Sequence, residues 1–155
     1  MRSFYLTALV LGLLTAVGPL AINMYLPALP VIEDVFDTDT ATVQLSLLSF
    51  FVSMSLAQLI YGPLSDMFGR RLPLFIGLTL YLLGAVGSAL APDIQWLIAA
   101  RALQGLGAAA GMVIARAVIR DLYTGPQAAQ LMATLMLVVS IAPVLAPLAG
   151  SAALA

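Results

Sequence analysis

Gly62-Pro63-Leu64-Ser65-Asp66-Met67-Phe68-Gly69-Arg70-Arg71 is a short knot of charge between two long apolar runs. From Asp39 to Asp66, and again from Arg71 to Asp93, no charged residue intervenes. Each run is long enough to cross a hydrocarbon core of about 30 Å as a helix, which takes roughly 20 residues. The knot therefore reads as a tight turn at a membrane surface. Its two arginines predict the cytoplasmic side, because positive residues in short loops resist translocation.

Composition supports the same reading. Of 155 residues, 63% are hydrophobic and 8% charged, with a mean hydropathy of +1.10. A soluble domain carries about 25% charged residues. The net charge of −1 argues against a basic nucleic-acid surface. The chain has neither Cys nor His, which excludes disulfides, thiolate chemistry and His-ligated metal. No metal site and no cofactor are predicted, and every charge inside an apolar run has to be explained.

Outward from the knot, the pattern predicts five membrane-spanning helices. The first covers about 4–26, bent near Gly18-Pro19 and ending before Pro27 and Pro30. Glu33, Asp34, Asp37 and Asp39 then read as an acidic outer loop. The second helix is expected over about 42–64, with Ser46, Ser49 and Ser53 on one face. Such serines either allow close helix contact or line a pathway, and contact is the commoner use.

The third helix covers about 72–90, with Gly77, Gly84 and Gly87 as contact points, and Ala91-Pro92-Asp93 turns directly into the fourth, about 94–118. Gly125-Pro126 breaks the chain before a fifth helix over about 127–150, interrupted by Pro143 and Pro147. Arg2, Arg70, Arg71, Arg116 and Arg120 all fall at one surface in this map. That sorting predicts a cytoplasmic amino terminus in a multi-pass protein of the bilayer.

Arg101 is the exception. It lies about 10 Å into the fourth helix at 1.5 Å per residue. An arginine inside a span costs on the order of 3 kcal/mol unless it snorkels or finds a partner. Snorkelling to the outer surface is one reading. The other rests on its face: Gln104, Gly105, Ala108 and Ala109 follow at three, four, seven and eight residues, a small and polar strip suited to the bundle interior. No paired acid–base constellation lies within the spans, so an enzyme is not predicted.

The string 62–71 resembles the loop between helices two and three of the major facilitator superfamily, Gly-x-Leu-Ser/Ala-Asp-x-x-Gly-Arg-Arg/Lys. Arg101-Ala102-Leu103-Gln104-Gly105-Leu106-Gly107-Ala108-Ala109 resembles the helix-four motif of its proton-coupled members, Arg-x-x-Gln-Gly-x-Gly-Ala-Ala. Asn23-Met24-Tyr25-Leu26-Pro27 is similar to the end of helix one in the bicyclomycin and chloramphenicol resistance branch, the Bcr/CflA drug:proton antiporters, which commonly carry Asp there. Arg120-Asp121-Leu122-Tyr123 fits the same branch. The fifth helix is the weakest match: Ala146-Pro147-Leu148-Ala149-Gly150-Ser151 stands where antiporters carry Gly-Pro-x-x-Gly-Gly.

The resemblance implies an all-α membrane protein whose five transmembrane helices form most of the first six-helix half of a major facilitator fold, with residues 1–155 as that incomplete half. It implies proton-coupled efflux of drugs or small amphipathic molecules across the bacterial inner membrane by a truncated chain, with the missing carboxyl-terminal helices as partners. It assigns proton coupling and the cavity to Arg101, Gln104, Asn23 and Tyr25. The inner gate falls to Gly62, Asp66, Gly69, Arg70, Arg71 and Asp121, and helix packing to Gly105, Gly107, Pro143, Pro147 and Gly150. Asn23 departs from the acid of that branch, and an amide offers hydrogen bonds but carries no proton at working pH. A helix-end cap beside Pro27 is the other reading of Asn23. The competing function is a short membrane protein that regulates a partner and transports nothing.

Overall fold

Backbone in lipid has to satisfy its own hydrogen bonds, and a long apolar run does so as a helix. The computed structural model describes residues 2–154, with side chains for 4–141. Helix α1 is Arg2–Tyr25, with Pro19 inside it, and passes through a 3-10 turn, Leu26–Ala28, into the short α2, Leu29–Phe36. Then come α3, Thr40–Phe68; α4, Arg71–Ala89; α5, Ile94–Leu122; and α6, Gly125–Leu154. Phe4–Phe36, α3, α4 and α5 are each long and apolar enough to cross a membrane. The described part of α6, Gly125–Ile141, is a shorter apolar helix.

Two expected loops are helical. The acidic segment after the first span is no loop at its start, because Glu33 and Asp34 belong to α2. Helix α1 does end before Pro27 and Pro30, but the path goes on through the 3-10 turn and α2. Each lies in the first turn of its segment, where a missing N–H leaves no bond unmade. The chain reverses at Asp37, whose φ is +46°.

The knot at 62–71 is also mostly helix. Gly62 to Phe68 complete the last turns of α3, with Pro63 inside them, and only Gly69 and Arg70 stand between α3 and α4. Gly69 has φ +80°, a conformation side chains resist, so the sharp reversal needs glycine. The other turns are as short. Asp93 caps α5 by accepting the Trp96 backbone N–H at 2.7 Å. Tyr123 and Thr124 alone separate α5 from α6.

Helix α5 is the centre of the bundle. Its apolar window is 61% buried, against 17–28% for the other spans. Its chief neighbours are α3 and α4, while α1 packs on α6 and α5. Gly105 and Gly107 make this possible. They are two positions apart, so they face opposite sides of the helix at 100° per residue. A side chain on Gly105 would run into the Phe50 carbonyl and Ser53 Oγ of α3, and one on Gly107 into Tyr81 and the Gly77 carbonyl of α4. Small residues here let backbones approach where lipid supplies no hydrophobic drive.

Two apolar clusters complete the core. One joins Leu11, Ala115, Ile119, Leu131 and Leu135 from α1, α5 and α6. The other joins Ala57 and Tyr61 of α3 to Ala109, Ala110 and Ile114 of α5. Pro143, Pro147 and Gly150, expected at a bend and a contact of the last helix, lie outside the residues described with side chains.

Candidate functional site: a buried arginine and a charged clamp

The interior site forms where α5 crosses the ends of α1 and α3. Arg101 is 3% exposed and Gln104 is 6% exposed. The guanidinium Nη1 donates to Gln104 Oε1 at 2.7 Å, the i,i+3 reach of one helix face. It does not snorkel to the surface. The Tyr25 ring centroid lies 4.1 Å from Arg101 Cζ, and the Phe50 centroid lies 4.6 Å from it. Two desolvated cation–π contacts are worth roughly 2 kcal/mol each. That is comparable to the insertion cost of about 3 kcal/mol, and explains how a cation stays here without an ion partner.

The satisfaction is incomplete. Arg101 Nε and Nη2 are buried with no hydrogen-bond partner among the described residues. A buried donor left unmade costs about 1–3 kcal/mol. The site can therefore still receive negative charge or a hydrogen-bond acceptor.

The surrounding hydroxyls are tied down. Tyr25 Oη and Ser46 Oγ share a hydrogen bond of 2.6 Å across α1 and α3. Ser49 Oγ reaches across to the Ile98 carbonyl of α5 at 3.0 Å, while Ser53 Oγ bonds back to the Phe50 carbonyl at 3.0 Å. So the serine face of α3 is a contact face toward α5. The Asn23 side-chain amide donates to the Pro19 carbonyl at 2.7 Å, one turn back along its own helix. It makes no hydrogen bond to Arg101 among the described residues.

Two residues of this site were not singled out from the sequence. Phe50 stacks on Arg101, and the Tyr81 side chain of α4 stands beside Gln104. A signal existed for both. Phe50 lies between Ser46 and Ser53 on their face, and Tyr81 lies between Gly77 and Gly84 on theirs, at spacings of three and four.

The second site is the charged clamp at the other end of the bundle. Arg70 Nε donates to Asp121 Oδ2 at 2.7 Å and Nη2 to Asp121 Oδ1 at 3.2 Å. Its Nη1 donates to Asp66 Oδ1 at 2.5 Å and Ser65 Oγ at 2.7 Å. Asp121 first and Asp66 second hold the guanidinium charge above the ordinary arginine range. Arg71, next along the chain, is exposed and forms no ion pair among the described residues. Nearby, Tyr123 Oη donates to Thr7 Oγ1 at 3.4 Å, and its ring meets Phe4 edge-on at 5.8 Å. The start of α1 is thereby fastened to the α5–α6 turn.

Comparison with known proteins supplies a context. The model of the family described as Major Facilitator Superfamily matches residues 11–155. A Bacillus subtilis (strain 168) protein named uncharacterized MFS-type transporter YdgK is 44% identical over 95% of this chain and 37% of its own length. The bicyclomycin resistance protein homolog of Haemophilus influenzae is 34% identical over 96% of this chain and 37% of its length. The chloramphenicol resistance protein of Pseudomonas aeruginosa is 33% identical over 94% of this chain and 35% of its length. The chain thus spans little more than a third of these three relatives.

Proposed function

Because the chain belongs to the Major Facilitator Superfamily, a family of membrane transporters, we propose that it supplies the amino-terminal wall of a secondary transporter exporting small amphipathic molecules in exchange for protons. The relatives named for bicyclomycin and chloramphenicol resistance support the drug-like substrate class. The arginine-bearing surface is the cytoplasmic one in this reading, with the amino terminus inside and the protein in the bacterial inner membrane.

The observation that carries the proposal is Arg101, a cation 3% exposed whose Nε and Nη2 have no hydrogen-bond partner among the described residues. A membrane protein that only scaffolds a partner has no use for an uncompensated interior charge, which marks a pathway or coupling site. A guanidinium keeps its proton at any working pH, so Arg101 is not the proton carrier. Its role is electrostatic: it lowers the cost of ionising a carboxylate, or of seating an anionic substrate group, brought against it during the cycle. Asn23 holds no proton either, and no carboxylate among the described residues bonds Arg101, so in this reading the titrating carboxylate is supplied by the rest of the transporter. Gln104, Tyr25 and Phe50 keep the guanidinium in place.

Arg70 is the second working part. It acts as an inner latch, holding α3 and α5 together at the cytoplasmic end through Asp66 and Asp121, and releases them when the inner side opens. The test is drug-driven proton movement in sealed vesicles holding a full-length protein that carries this sequence. Arg101→Ala is expected to abolish coupled export, and Arg101→Lys to keep part of it. Wild-type coupling in Arg101→Ala would overturn the assignment.

A further inference from the structure

Tyr25 is the last residue of α1, where the chain leaves α-helical geometry for the 3-10 turn Leu26–Ala28. A side chain at such a junction stands where its contacts hold it. The Tyr25 ring is held against Arg101, its centroid 4.1 Å from Cζ. Its hydroxyl meets Ser46 Oγ of α3 at 2.6 Å.

The direction of that bond follows from the chemistry of serine. A serine hydroxyl has one hydrogen to give and two lone pairs. Ser46 Oγ gives its hydrogen to the Val43 carbonyl at 2.6 Å. Tyr25 Oη is therefore the donor to Ser46. The chain of bonds runs from the phenol through the serine to a backbone carbonyl, which cannot pass a proton on. The pair is no proton relay. Bonds in series polarise one another, and a phenol that donates its hydrogen carries a more electron-rich ring. Such a ring attracts a cation on its face more strongly.

Ser46 and Phe50 are both 0% exposed and stand four residues apart on one face of α3. The Phe50 ring meets the guanidinium directly, its centroid 4.6 Å from Cζ. One turn of α3 thus supplies one ring to Arg101 and the anchor for the other. Helix α1 packs chiefly on α6 and α5, so the Tyr25–Ser46 bond ties it to a helix that is not among its main neighbours.

We infer that Ser46 is a positioning residue for Arg101: acting through Tyr25, it sets how the guanidinium is held and makes that grip depend on the fit of α1 against α3. When the two helices part, Tyr25 leaves and Arg101 keeps only Gln104 and Phe50 among these partners. The positioning stands on geometry alone, while its consequence for export rests on the transport reading of Arg101.

The test uses a full-length protein carrying this sequence. Ser46→Ala and Tyr25→Phe each remove one oxygen and add no bulk. In micelles, NMR of protein labelled with 15N-arginine reads the buried Arg101 Nε–H, identified by its loss in Arg101→Lys. Ring currents move a proton on the face of an aromatic ring upfield. Both single variants should bring the signal downfield, and the double variant should bring it no further. Ser53→Ala, whose hydroxyl bonds only back to the Phe50 carbonyl of its own helix at 3.0 Å, should leave it in place.

In sealed vesicles, drug-driven proton movement should fall roughly fivefold in each single variant, the worth of one buried hydrogen bond. The double variant should lose the same factor, whereas independent roles would multiply to about 25-fold. An Arg101 signal unmoved by Ser46→Ala, or moved equally by Ser53→Ala, overturns the positioning. Losses that multiply show that Ser46 does not act through Tyr25 and also overturn it. Wild-type proton movement in Ser46→Ala despite a displaced signal overturns the link to coupling. Wild-type movement in Arg101→Ala overturns instead the transport reading on which that link rests.

Discussion

Arg70 grips Asp121 through two N–H groups, at 2.7 and 3.2 Å, across 51 residues of chain. A turn of two residues is thereby joined to the end of the most buried helix. Exposed ion pairs are worth only about 0–1 kcal/mol. This one is two-pronged and its arginine is 22% exposed, so it belongs at the upper end of that range. That is small enough for a conformational cycle to break and remake.

From this latch, Arg70→Ala and Asp121→Asn should each impair export in a full-length protein while leaving membrane insertion intact. Arg71→Ala should do much less, because Arg71 is exposed and forms no ion pair among the described residues. Drug export at matched expression reads the difference. Equal export by all three variants would leave the motif with a topological role only.

Replacing Arg101 by Met should separate coupling from stability. Exchanging a buried charge for an apolar side chain of similar length is often neutral or stabilising by about 1–4 kcal/mol. Thermal unfolding of the purified chain should therefore show no loss of stability, while coupled export in the longer protein disappears. A variant destabilised by more than about 3 kcal/mol would make Arg101 a structural residue instead.

Gly107→Val should cost stability out of proportion to its size. The added branches would meet Tyr81 and the Gly77 carbonyl, forcing α4 away from α5. Overpacking of this kind costs about 1–3 kcal/mol. Unfolding in mixed micelles measures it, and a neutral result would mean that the two helices stand further apart than the structure has them.

Asp93→Ala removes an N-cap whose carboxylate accepts the Trp96 N–H at 2.7 Å. The expected loss is about 1 kcal/mol, with Asp93→Asn costing less, since Asn also caps well. Denaturant unfolding of the two variants side by side checks the order.

Sidedness is read by single cysteines in a chain with none of its own. Met67 and Leu90, 76% and 74% exposed, lie at opposite ends of α3 and α4. In sealed cells an impermeant thiol reagent should label position 90 from outside and leave position 67 untouched. The reverse pattern would invert the proposed orientation.

The sequence by itself determined the helical class and the charge-free runs that become the long helices. A charge-free run near 20 residues has one economical way to satisfy its backbone in lipid, and charges mark where it stops. It also marked Arg101, since a cation inside such a run demands an account. It placed the end of the first helix before Pro27, where α1 stops, but missed that a 3-10 turn and α2 carry the path on, and it stopped the second helix near Leu64 where α3 runs to Phe68. Local rules treat proline as a breaker, but in a first turn it leaves no N–H unmet.

What surrounds the charges only the tertiary structure decided. Tyr25 and Phe50 reach Arg101 from two other helices, and Arg70 chooses Asp121 at 51 residues' distance while its neighbour Arg71 takes neither carboxylate. Such partners depend on how far helices are turned about their axes and how closely they pack. Gly105 and Gly107 set that for α5 by letting two backbones touch it on opposite sides, and periodicity along one chain carries no record of it.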